Sequence, residues 1–115
     1  MNIAIREAGS VIIFDIIGEI RRSHIVETTL HQVVKSQLEQ GRRNILFNME
    51  YVEFIDSFGV GEILASYISI QNLGGKFKLI RISRKLGIVF KVVGLDRVLE
   101  IFDNEVTALQ SFAKP

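Results

Sequence analysis

The chain contains no cysteine. That excludes a disulfide framework, a thiolate metal site and a thiol nucleophile, and it fits a reducing compartment. Proline is almost as scarce: the one residue is Pro115, and no Pro-rich linker, internal repeat or low-complexity stretch is visible. An excess of one charge is also missing. Fourteen basic residues stand against 13 acidic ones, for a net charge of +1, too even a balance to draw in nucleic acid by bulk attraction. Arg42-Arg43 and Arg84-Lys85 are only pairs, and solvated loops and helix ends account for them. Long apolar runs are lacking too. Asp15 splits Val11–Phe14 from Ile16-Ile17, whereas a membrane span needs about 20 apolar residues. The opening Met1–Glu7 has neither the basic start nor the apolar stretch of a signal peptide. These absences predict a protein kept in the cytoplasm, without membrane insertion.

What is present is ordinary for a globular chain: 48% hydrophobic and 23% charged residues over 115 positions. That suffices for one domain, residues 1–115, with its own core.

Hydrophobic periodicity divides the chain into alternating elements. Ile3 and Ile5 predict a short strand, and Glu7–Ser10 a turn. Val11–Ile17 reads as a β-branched strand ending at Gly18 and pairing with the first as a hairpin. Ser23 is the expected cap of a helix over His24–Gln40, with Val26, Leu30, Val33, Val34 and Leu38 on its core face. Asn44–Met49 predicts a buried strand. A second helix begins at Asp56 or Ser57 and runs to about Asn72, with Val60, Ile63, Leu64, Tyr67 and Ile68 inward. Then follow a strand over Lys76–Ile82 and a helix capped by Ser83 carrying Leu86, Val89, Phe90 and Val93 to a stop at Gly94. Last come a strand over Val98–Phe102 and a helix capped by Asn104 with Val106, Leu109 and Phe112 inward. The expected fold is an α/β sandwich: a mixed, mostly parallel sheet of four to five strands with about four helices.

In such sheets function gathers where strand ends meet helix starts. Two loops qualify: Gly18–Ser23, and Asp56-Ser57-Phe58-Gly59 at the start of the second helix. Asp56 and Ser57 are good caps, and on local chemistry alone that is all they need be. A phosphate on Ser57 would meet the free N–H groups and positive dipole end of the helix, and would add about −1.5 to −2 charges beside Asp56 and Glu53. Gly59 and Gly61 are poor helix formers in the first turn and suit a close approach by neighbouring backbone or by a partner.

Other chemistries find little support. There is no Gly-rich phosphate loop with a lysine and no dinucleotide fingerprint. Gly59-Val60-Gly61 is too short to count, so nucleotide binding is only a weak possibility, and no cofactor is expected. His24 and His31 lie seven apart without a third ligand at useful spacing, which predicts no metal site. Nothing supports a triad around Ser57, and the chain does not read as an enzyme.

The segment Phe54-Ile55-Asp56-Ser57-Phe58-Gly59-Val60-Gly61, followed by Ile63-Leu64 and Gly74-Gly75, is similar to the signature of the STAS family. There an apolar pair precedes Asp-Ser-(Ser/Thr)-Gly-Leu-Gly. Gly18-Glu19-Ile20 and Val93-Gly94-Leu95 match as well, and the element order resembles the family's over essentially the whole chain. The resemblance implies an anti-sigma-factor antagonist. Its unmodified form binds an anti-sigma factor, often a serine kinase of histidine-kinase-like ATPase fold, and so frees a sigma factor. The kinase phosphorylates the serine after the motif aspartate, here Ser57, and a phosphatase reverses this. The expected partner-binding face comprises Glu19, Arg21, Arg22, Asp56, Ser57, Phe58, Gly59 and Val60; an exposed edge strand or an apolar face around Phe58 would suit a weak dimer as well as a monomer.

Two positions depart from the pattern. Phe58 stands where Ser or Thr is usual, and either contacts a partner or packs down. Arg21, followed by Arg22, stands where many members have Asp. The plain reading makes both arginines solvated loop residues; the sharper one has either reach a phosphate on Ser57 or an acidic partner. The resemblance leaves room for a second role, a constitutive STAS adaptor of a signalling scaffold or transport complex with no phosphorylation cycle.

Overall fold

A computed structural model of the chain describes residues 1–114. These form five strands, four α-helices and one 3₁₀ turn in the order β1 (Asn2–Ala8), β2 (Val11–Ile20), α1 (Leu30–Glu39), β3 (Asn44–Ile55), α2 (Ser57–Asn72), β4 (Lys76–Ile80), α3 (Arg84–Val93), a 3₁₀ turn (Leu95–Arg97), β5 (Glu100–Phe102) and α4 (Glu105–Phe112). The strands lie in chain order, β1 to β5, in one sheet. β1 pairs antiparallel to β2, and each later neighbour is parallel. The architecture is the mixed α/β sheet that the alternating periodicity predicts.

Two apolar layers cover the sheet. On one face Phe14, Phe47 and Phe77 sit with Leu30, Val34 and Leu38 of α1, Ile63 and Ile70 of α2, and Leu86 and Phe90 of α3. Phe14 stacks on Phe47 with ring centroids 5.2 Å apart, and Phe47 meets Phe77 edge-on at 4.6 Å, geometries that the ring quadrupole favours. On the other face Val11, Ile13, Leu46 and Ile80 pack under Ala108 and Phe112 of α4.

Several sequence-based boundaries move, each for a physical reason. α1 starts at Leu30, not His24. Its cap is Thr29, whose hydroxyl accepts from Gln32 N–H while the Gln32 side chain accepts from Thr29 N–H. That reciprocal capping box satisfies two donors at once, whereas Ser23 only closes a local turn by accepting from Ile25 N–H. Val26, expected in the core, is fully exposed in the loop before the helix.

β2 passes through Gly18 to Ile20, and β3 continues past Met49 to Ile55. Irregularities between Asp15 and Ile17 and between Gly18 and Glu19 put extra residues on β3 and break its two-residue alternation while pairing continues. β4 stops at Ile80 because Arg81 takes a left-handed φ of 58°, a turn that ends the strand. β5 is shorter than Val98–Phe102 because the 3₁₀ turn takes up the preceding chain. Asp56, not Ser57, caps α2. The buried line of α2 is Gly59, Ile63, Ser66 and Ile70, which leaves Leu64 and Ile68 exposed. Val93 and Val106 are exposed as well. On α4 the buried positions are Ala108 and Phe112.

Candidate functional site

The site is set by two strand ends lying side by side. Glu19 pairs with Phe54 and Ile20 with Ile55 at the carboxyl ends of β2 and β3, so the β2–α1 loop and the start of α2 share one edge of the sheet. Asp56 joins them. Its N–H donates to Ile20 O at 3.3 Å. Its Oδ1 accepts from Gly59 N–H at 2.8 Å, capping α2, and its Oδ2 accepts from Arg22 N–H at 3.0 Å, pinning the loop. Burial opposes ionisation of this carboxyl. The two backbone donors, helped by the charge of Arg21, outweigh that and hold it below the ordinary aspartate range.

Gly59 is buried, and the reason is steric. A Cβ at this position would lie 2.0 Å from Ile20 O and 2.7 Å from Ile55 Cγ1, so α2 can rest on the end of β2 only where a side chain is absent. Gly61 has nothing within 4 Å of the equivalent position and faces outward. Val60 is half-buried against the main core. Gly59 and Val60 thus build the platform, and the residues between them and the loop form its surface.

Ser57 is the first residue of α2 and is exposed. Phe58 is half-buried, with the Arg22 guanidinium 5.0 Å from its ring centroid, a cation–π distance. The ring packs against the loop yet keeps an outer surface. Arg22, Ile25, Leu30, Phe58 and Glu62 line a depression of about 130 Å³. Arg21 Nη1 sits 3.3 Å from Glu19 Oε1, both half-exposed. Arg22 makes no side-chain hydrogen bond or ion pair among the described residues. Glu53, near the end of β3 and four residues before Ser57, is exposed.

One contributor is not apparent from motif reading. Glu62 lies four residues after Phe58, on the same side of α2, and its Oε1 accepts from His31 N–H at 3.1 Å. It thereby places a negative charge at the N-terminus of α1 and fixes where the loop ends. The i, i+4 spacing was the available signal. His31, in the first turn of α1, pairs with Ser69 Oγ at 2.8 Å between α1 and α2, while His24 is exposed in the loop. Among the described residues no three His, Asp or Glu side chains converge as a metal site would need, and no helix is long and apolar enough to cross a membrane.

A chain of this fold has known counterparts. A Thermotoga neapolitana protein provisionally named an anti-sigma factor antagonist is 34% identical over 73 residues, which is 64% of this chain; the match spans just under two thirds, 65%, of that relative's length. An anti-sigma F factor antagonist of Paenibacillus polymyxa is 28% identical over 95 residues, 78% of this chain and 81% of the relative. The crystal structure of a Thermotoga maritima protein, also provisionally named an anti-sigma factor antagonist, superposes with a TM-score of 0.84 at 25% identity, covering 97% of this chain and 95% of that one. The STAS domain model matches residues 2–108, and the chain belongs to the STAS domain family.

Proposed function

We propose that this protein is an anti-sigma-factor antagonist whose docking face is switched by phosphorylation of Ser57. The observation that carries the reading is the exposed Ser57 hydroxyl at the first position of α2, directly after a carboxylate that locks that helix to the β2–α1 loop. In the unmodified state Ser57, the outer surface of Phe58, Glu19, Arg21 and Arg22 form a face of mixed charge against which an anti-sigma factor docks. If that partner is a serine kinase, Ser57 Oγ attacks the γ-phosphorus of its ATP, the hydroxyl proton passes to a base on the kinase, and ADP leaves. The product carries about −1.5 to −2 added charges beside Asp56 and Glu53, and a partner shaped for a neutral hydroxyl rejects it. A phosphatase restores the serine. Asp56 is held ionised throughout, so the rigid frame stays the same and only the face changes.

The test is to incubate the protein with a candidate anti-sigma serine kinase from the same organism and ATP, and to map the modified residue by mass spectrometry. Labelling of Ser57, partner binding retained in Ser57→Ala and weakened at least tenfold in Ser57→Asp are the expected results. A kinase that neither binds the protein nor labels Ser57 would sink the reading. The Phe58 ring favours one alternative, a constitutive adaptor anchored by that aromatic; a stable partner indifferent to both Ser57 substitutions and lost in Phe58→Ala would establish it instead.

A further inference from the structure

Arg21 and Arg22 are neighbours in sequence with different circumstances. Arg21 already faces the Glu19 carboxylate at 3.3 Å. Among the described residues the Arg22 guanidinium meets no carboxylate, only the face of Phe58 at 5.0 Å. Its main chain, in contrast, is fixed: Arg22 N–H donates to Asp56 Oδ2 at 3.0 Å, one residue before Ser57. A charged group on an anchored backbone is thus parked by a weak, half-exposed stack on the ring of Phe58, the residue next in sequence to the serine on which the proposed switch rests.

Resting on the reading of Ser57 as a phosphorylation site, we propose that Arg22 is the internal receptor for the phosphoryl group. Once Ser57 is modified, the guanidinium leaves the Phe58 ring for the phosphoryl oxygens. A fork of N–H donors on a dianion is a stronger hold than a stack on an aromatic face. Because Asp56, Ser57 and Phe58 are consecutive and the Arg22 backbone is pinned to the first of them, the exchange needs only rotation of the arginine side chain. Phe58 and Arg22, two residues that depart from or flank departures from the family pattern, then act as one device. The switch alters charge and uncovers an aromatic surface together, so the modified face differs from the unmodified one in shape as well as in sign. Arg21, held by Glu19, is the poorer candidate for the same task.

The test uses the full chain with phosphoserine placed at position 57 during translation, so that its outcome does not depend on any kinase. The phosphate is titrated by phosphorus NMR in the otherwise wild-type protein, in Arg22→Gln and in Arg21→Gln, with thermal melts confirming that each variant is folded. The Phe58 ring resonances are followed in unmodified and phosphorylated forms. The second ionisation of the phosphate should fall about half a pH unit lower with Arg22 present than in Arg22→Gln, with a smaller change in Arg21→Gln. The Phe58 signals should move on phosphorylation only when Arg22 is present. Identical titrations in wild type and Arg22→Gln, a larger effect from Arg21→Gln, or ring signals blind to phosphorylation would each overturn the proposal. Failure of a kinase to label Ser57 would refute the proposed function and leave this measurement unaffected.

Discussion

Two residues carry the site, and each answers to a simple substitution. Replacing glycine by alanine in a helix ordinarily gains about 1 kcal/mol. Gly59→Ala reverses that sign, because the added methyl would meet the Ile20 carbonyl oxygen at 2.0 Å and main chain gives way poorly; the expected loss is about 1–3 kcal/mol. Gly61→Ala, with open space around it, should be neutral to stabilising, by up to about 1 kcal/mol. Urea unfolding of the two variants separates these effects, and equal midpoints would contradict the close approach. Asp56 makes a second prediction, through pH. Its folded ionisation lies below its unfolded one: burial works against the charge, and the N–H groups of Arg22 and Gly59 prevail. The stabilisation is therefore complete above about pH 4, the ordinary aspartate value, and is lost as pH falls through the folded value. Asp56→Asn should be less stable than wild type at pH 7, and the gap in melting temperature should narrow as the pH falls below about 4. A gap constant across that range would show that the charge contributes nothing.

At the level of elements, the start of α1 is decided by chemistry written in four residues. Thr29 and Gln32 form the capping box, so Thr29→Ala should cost about 1 kcal/mol. Ser23→Ala, outside any helix, should stay within about 0.5 kcal/mol of wild type. Backbone amide exchange should show protection beginning near Val33, whose N–H reaches Thr29 O at 3.1 Å, and none over His24–Thr28. The Thr-x-x-Gln pattern was legible in the sequence, but Ser23 offered an earlier cap and Val26 an apolar residue at helical spacing, and periodicity alone cannot choose between them. The same limit hid the length of β3. Its buried positions Met49, Val52 and Ile55 are three apart because of the bulges, and a two-residue rule cannot follow them. The alternation of strands and helices, the opening hairpin and a cap at Asp56 or Ser57 were readable, because each rests on local pattern or on residues with a strong positional preference. The Arg22–Phe58 stack and the Glu62–His31 tie were not, because they depend on how an irregular loop folds back across 30 or more residues of chain.

At the scale of the whole molecule, the two faces of the sheet are held differently. The face under α1, α2 and α3 is built mainly from apolar side chains, with Ser66 of α2 buried among them and donating to Glu62 O of its own helix. The face under α4 is smaller and crossed by polar ties. Arg6 of β1 reaches Asp15 of β2 at 2.6 Å and Glu105 of α4 at 2.8 Å, and Asp15 also accepts from Asn48 at 2.8 Å. The boldest of these ties is Lys78, in the middle of β4 and only 6% exposed. Its ammonium donates to Ser111 Oγ at 2.8 Å, meets Glu100 Oε2 at 3.2 Å, and lies 4.9 Å from the Phe112 ring centroid and 5.6 Å from that of Phe102. Every part of that cradle comes from β5 or α4, the last elements to be laid down, so Lys78 reports on whether the C-terminal third has docked. A buried ion pair is often no more stabilising than apolar residues of equal volume, yet breaking one partner away is costly. Lys78→Met should therefore keep or raise the melting temperature, since the thioether chain fits between two phenyl rings. Glu100→Ala should lower it, by leaving the ammonium with one hydroxyl and two rings. Its partner carboxylate is itself 63% exposed, which keeps the expected loss near 1 kcal/mol. Thermal melts of the two variants decide the matter: a Lys78→Met protein several degrees less stable than wild type would mean that the charge itself, and not the packing of its stem, fastens α4 and β5 to the sheet.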